Sequence, residues 1–109
     1  MGFFDLFTRG SIDDDVARAR TTENSVIIDV RTPQEFKQGH IEGAKNVPLD
    51  RLSDLPKAAP KTDAPLFVYC QSGARSSRAC RQMEAMGYSD ITDMGGIMQW
   101  SGPIVKGAK

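Results

Sequence analysis

Cysteine, histidine and any excess charge of one sign are all in short supply in this chain. Two cysteines, Cys70 and Cys80, make no disulfide framework, and His40, the one histidine in 109 residues, leaves no second ligand pair for zinc. No metal or organic cofactor is expected. Fourteen basic residues balance fourteen acidic ones, so no strong field points to nucleic acid or an acidic lipid surface. No apolar run approaches the ~20 residues that span a bilayer. The opening MGFFDLF has no basic n-region and is too short for a signal peptide, and Leu6 stands where N-myristoylation wants Ser or Thr. A lone reactive thiol suits a reducing, cytoplasmic setting. One domain over 1–109 remains, its core running from about 11 to 104 behind an apolar segment, 1–10. Phe3, Phe4, Leu6 and Phe7 of that segment are expected to pack onto the domain rather than to contact a membrane.

The rest of the chain alternates strand with helix. SIDDDVARAR has Ser11 as N-cap, acids in its first turn, arginines near its end, and a narrow stripe of Ile12, Val16 and Ala19. SVIIDV reads as a short buried strand. In TPQEFKQG, Thr32 caps a compact helix, Pro33 opens it, Glu35 completes a capping box and Gly39 stops it. KNVPL is a second strand, LDRLSDLP a helical turn or two, and PLFVYC the third strand. RSSRACRQMEAMGY gives the longest helix, with Ala79, Cys80, Met83 and Met86 on one face and Gly87 ending it. DITDM is a fourth strand, and GGIMQW opens a last short helix. This alternation predicts a parallel sheet covered by helices on both faces, with ligands beyond the carboxyl ends of its strands. That edge gathers Asp29 and Arg31, Cys70, and Gly95 with Gly96.

Between Cys70 and the following helix, Gln71, Ser72, Gly73 and Ala74 must turn tightly, and Gly73 permits the backbone angles required. Successive amides in such a turn converge into a nest for an anion, and the helix start adds its own free N–H groups. Surroundings of this kind favour a thiolate nucleophile at Cys70 and hold negative charge on an atom added to it. The competing reading is an inert buried thiol. Cys80, between apolar helix positions, is read as core filler, His40 as structural and Trp100 as core. Asp29 is either an active-site carboxylate or a local acceptor. Its capping box accounts for Glu35.

These segments resemble the rhodanese-like domain family. IIDVRTPQEFKQGHIEGAKNVPL is similar to the family's first signature, CQSGARS to its active-site loop, and GGIMQW to its late Gly-Gly-x-x-x-Trp; together they cover most of Val26 to Trp100. The resemblance implies a three-layer α/β/α sandwich around a parallel sheet of four or five strands, the N-terminal edge strand being the one not found before Ser11. It implies sulfur transfer through a cysteine persulfide. Cys70 matches the cysteine that takes the sulfane sulfur, Gln71, Ser72, Gly73, Ala74 and Arg75 the loop around it, and Arg31 an arginine near it. Asp29 and Ser76 are supporting candidates. Four residues separate Cys70 from Arg75, whereas the related cell-cycle phosphatases have five, so the tighter ring suits a sulfur atom better than a phosphoryl group.

The expected activity is transfer of sulfane sulfur from thiosulfate, a small persulfide or a persulfide-bearing protein to cyanide or a thiol. Arg75, the only cation of the loop, is expected to hold an anionic donor, giving modest thiosulfate activity. A non-catalytic binding module on the same fold, kept open by MGFFDLF, and a thiol-based phosphatase or arsenate reductase are the alternatives.

Overall fold

A computed structural model describes residues 11–108 of the chain. The apolar stretch Phe3 to Phe7 lies outside the described residues, as does any strand before Ser11. Helix α1 (Ile12–Thr21) begins as its sequence dictates: Ser11 Oγ accepts from the Asp14 N–H at 3.3 Å, and Ile12, Val16 and Ala19 are its buried stripe. Strand β1 (Val26–Asp29) leads into α2 (Pro33–Gln38). The capping box is closed there in both directions, with the Glu35 N–H on Thr32 Oγ1 at 3.1 Å and the Thr32 N–H on Glu35 Oε1 at 2.9 Å.

Strand β2 is only Lys45–Asn46, shorter than KNVPL suggested, because past the Val47 N–H on the Asp29 carbonyl the chain leaves for a 3₁₀ segment, Leu49–Asp54, behind Pro48. That segment kinks at Arg51 before the single turn of α3 (Leu55–Ala58). Strand β3 (Leu66–Cys70), helix α4 (Ala74–Ala85), strand β4 (Ile91–Gly96) and a 3₁₀ turn (Ile97–Gln99) follow. Both glycines of GGIMQW therefore end a strand instead of opening a helix.

Among the described residues the sheet has four strands in the order β2-β1-β3-β4, all parallel. Its two faces separate by the period of two that strands impose. Ile28, Leu66 and Val68 join Ala79 and Met83 of α4 under one face; Ile27, Phe67 and Tyr69 join Val16 of α1 and Phe36 of α2 under the other. Each such side chain removed from water contributes about 1.5–3 kcal/mol. Met86 departs from the expected apolar face of α4 and is 38% exposed, since the helix ends one residue earlier and Gly87 turns away at φ 103°.

The β3–β4 register shifts once. Val68 pairs with Asp93 but Tyr69 with Gly95, so Met94 is an extra residue on β4. The bulge re-aims the end of β4, bringing Gly96 opposite Cys70.

Candidate active site

Cys70 is the last residue of the central strand β3 and is 1% exposed. The chain turns immediately after it because Gly73, the N-cap of α4, sits at φ 113°, a left-handed conformation that a side chain would strain. α4 starts at Ala74, one residue earlier than expected. This turn swings the Gly73 N–H back onto Cys70 Sγ at 2.9 Å. The first turn of α4 points its remaining free N–H groups to the same end of the helix. Ser72 and Ala74 expose their side chains to solvent.

The loop is braced from β4. Gly96 faces the carbonyl oxygen of Gln71 and Cα of Ser72 so closely that a Cβ has no room there. The same Gln71 carbonyl accepts from the Met98 N–H at 3.2 Å. Ser76, fully buried, places Oγ 2.8 Å from Asp93 Oδ1 and 3.0 Å from the Gly73 carbonyl. Asp93 Oδ1 also accepts from the Gly95 N–H at 3.0 Å, so one carboxylate ties the bulge to the start of α4. The sequence placed Gly96 at this edge without its bracing contact and gave Asp93 no part in it; the only local signal was an Asp two residues before a glycine pair.

Arg31 and Asp29 come together as a buried pair. The guanidinium donates to both Asp29 oxygens, at 2.7 to 3.1 Å, and Asp29 Oδ1 also takes the Arg31 backbone N–H at 2.8 Å. Asp29 is thus a local acceptor, not a free carboxylate facing the loop. Arg31 reaches the loop through Nη1, which donates to Gln71 Oε1 at 3.2 Å, while Nη2, already on Asp29, also donates to the Gly39 carbonyl at 2.7 Å. Burial works against its charge, and the hydrogen bonds and attraction of Asp29 more than offset that. Asn46 clamps the strand end, its amide donating to the carbonyls of Asp29 and Arg31, each at 3.0 Å. Burial, with the neighbouring Asp29 charge, pushes the Tyr69 hydroxyl up, so it stays protonated while accepting from the Ile41 N–H.

Arg75 is not the open cation expected. Its two terminal nitrogens grip Glu35 Oε1 and Oε2 at 2.8 and 3.0 Å. Glu35 therefore does more than cap α2, and its hydrogen bond with Arg75 holds its carboxyl down to about 2. Nothing local links these two residues, which lie forty positions apart in the chain.

The remaining candidates are structural. His40 is buried, stacked on Phe36 with ring centroids 3.6 Å apart, its Nδ1 2.8 Å from the Phe36 carbonyl. Cys80 packs against the α4-side core, and burial pushes its thiol up to about 12. Trp100 is only half-buried: it leans on the α1-side core, donates Nε1–H to the Pro103 carbonyl at 2.9 Å, and walls a cleft. That cleft, of about 630 Å³, is also lined by Arg31, Glu35, Gln71, Met98 and Ile104, so it opens beside the loop.

The rhodanese-like domain family pattern matches residues 13–103. This chain belongs to the rhodanese-like domain family. The thiosulfate sulfurtransferase PspE of Escherichia coli is 36% identical over 81 residues, covering 73% of this chain and 78% of that one. The uncharacterized protein YqhL of Bacillus subtilis is 43% identical over 79 residues, 72% of this chain and 62% of YqhL. A solved rhodanese with anions from E. coli superposes with a TM-score of 0.72 at 34% identity, over 76% of this chain and 99% of that structure. The family's three-layer α/β fold is the one observed here, with the central sheet four strands wide in the described residues. No helix among those residues is long and apolar enough to cross a membrane.

Proposed function

We propose that this rhodanese-type sulfurtransferase moves a sulfane sulfur through a persulfide on Cys70. The observation that carries the reading is the Gly73 N–H aimed at Cys70 Sγ at the end of the central strand. The relatives named thiosulfate sulfurtransferases support the reaction class.

In the first displacement the Cys70 thiolate attacks the outer sulfur of a donor. A sulfur–sulfur bond forms to Cys70, the donor's own sulfur–sulfur bond breaks, and its electron pair leaves on sulfite or on a thiolate. The Gly73 N–H, 2.9 Å from Cys70 Sγ, favours the attacking thiolate, and with the free amides of the first turn of α4 it offers donors to the negative charge of the new terminal sulfur. In the second displacement a thiolate or cyanide takes that outer sulfur and the pair of electrons returns to Cys70. No outside oxidant or reductant enters. Because Cys70 is 1% exposed, the donor sulfur meets it only as loop atoms yield, and the Gly96, Met98 and Ser76 contacts set how far they do.

The test is intact mass under non-reducing conditions after incubation with thiosulfate. Wild type gains one sulfur and Cys70→Ser gains none. A gain in both overturns Cys70 as the carrier, and a gain in neither with any sulfane donor overturns the persulfide reading and leaves the fold as a binding module.

A further inference from the structure

The charges around Cys70 are spoken for. The loop from Gln71 to Ser76 contains one cation, Arg75, and both of its terminal nitrogens are held by Glu35. The second guanidinium at the site, Arg31, is held at both oxygens of Asp29. Asp93, beneath Ser76, has no ionic partner among the described residues, so it leaves the site with an uncompensated negative charge. Glu35 lines the cleft beside the loop together with Arg31 and Gln71.

Resting on the persulfide reading above, we infer that Glu35 sets the charge of the donor this site accepts. By gripping Arg75 at two points it cancels the loop's cation, and the site favours sulfane donors of low charge over the thiosulfate dianion. Glu35 acts through Arg75 and touches no reacting atom. Its replacement by Gln keeps the cap of α2, because Gln at the third helical position serves a capping box as Glu does. It removes the negative charge and one of the two acceptor oxygens that hold Arg75.

The test compares two donors that present the same sulfane sulfur. Thiosulfate carries two charges and releases sulfite; benzenethiosulfonate carries one and releases a sulfinate. The interaction of a fixed charge with a donor scales with the donor's charge, so the gain for the dianion is the square of the gain for the monoanion. In Glu35→Gln, kcat/KM is expected to rise about 3-fold for benzenethiosulfonate and about 10-fold for thiosulfate, both gains shrinking as salt is added. Arg75→Ala shifts the ratio of the two donors the opposite way. In wild type, thiosulfate loading at low ionic strength does not fall as salt is added, because the site offers no net positive charge to screen. That measurement stands even if the Glu35 variant folds poorly.

Equal factors for both donors in Glu35→Gln, or a steep fall of wild-type thiosulfate loading with salt, overturn the inference alone. Failure of wild type to load sulfur from either donor overturns the persulfide reading and this inference with it.

Discussion

Gly96 and Gln71 meet with no space for a side chain between them: a methyl group on the Gly96 Cα would run into the Gln71 carbonyl oxygen. The contact presses the end of β4 against the loop that turns at Gly73, and it exists because the bulge at Met94 brings Gly96 opposite Cys70. The loop's shape is therefore set from across the sheet.

Gly96→Ala forces the loop off β4, since both partners are backbone and cannot swing aside. Overpacking of this kind costs about 1–3 kcal/mol. Sulfur loading of Cys70 is expected to slow by about tenfold, more than the lost stability explains, because the Gly73 N–H moves with the loop. Melting temperature and loading rate measured on one sample check this; an unchanged loading rate refutes the bracing role.

Asp29→Asn leaves the Arg31 guanidinium buried without its carboxylate. The pair is nearly inaccessible, with side chains 5% and 0% exposed. Breaking a buried pair by removing one partner costs about 3–5 kcal/mol. Urea unfolding should show that loss, and a change under about 1 kcal/mol would mean that Gly39, Gln71 and water satisfy Arg31 unaided.

Acid should weaken the Glu35–Arg75 tie in a defined window. The Glu35 carboxyl sits at about 2 in the fold against an ordinary 4.5. Its folded value is depressed, so the stabilisation is whole above about 4.5 and is lost as pH falls toward about 2. In Glu35→Gln this acid limb is missing. The stability gap between wild type and variant, read from urea midpoints, should narrow on going from pH ~7 to pH ~3; a gap independent of pH would show that the pair contributes nothing.

Cys80 should stay silent. Burial first, then the charges of Asp93, Cys70 and Glu84, keep its thiol protonated, up to about 12. Cys80→Ser is expected to load sulfur like wild type, at a small packing cost against the α4-side core. Peptide mapping after loading at pH ~8 should place the added sulfur on Cys70 alone, since reactivity follows the thiolate. Sulfur on Cys80 would contradict its role as filler.

Much of the fold was legible because its signals are local. Ser11 and Thr32 cap their helices as read, the alternation of strand and helix predicted the parallel sheet, and Gly73 marked the turn after Cys70. The misreadings came where a residue's neighbours in the chain are not its neighbours in space. GGIMQW reads locally as a helix start, yet pairing with β3 draws both glycines into a strand. Met86 fits the apolar spacing of α4 but lies past its last turn. Trp100 reads as core, whereas the turn through Gly102 and Pro103 holds it half open on the cleft.

By itself the sequence determined which thiol stands at the end of a strand, which glycine turns the chain behind it, and which elements surround them. Those follow from backbone angles, caps and apolar periods, all of which act within a few residues. Tertiary structure alone decided the electrical state of the site. Whether Arg75 offers its charge to a substrate or spends it on Glu35 depends on two helices forty residues apart meeting at one edge of the sheet, and Coulomb attraction follows distance in space rather than order in the chain.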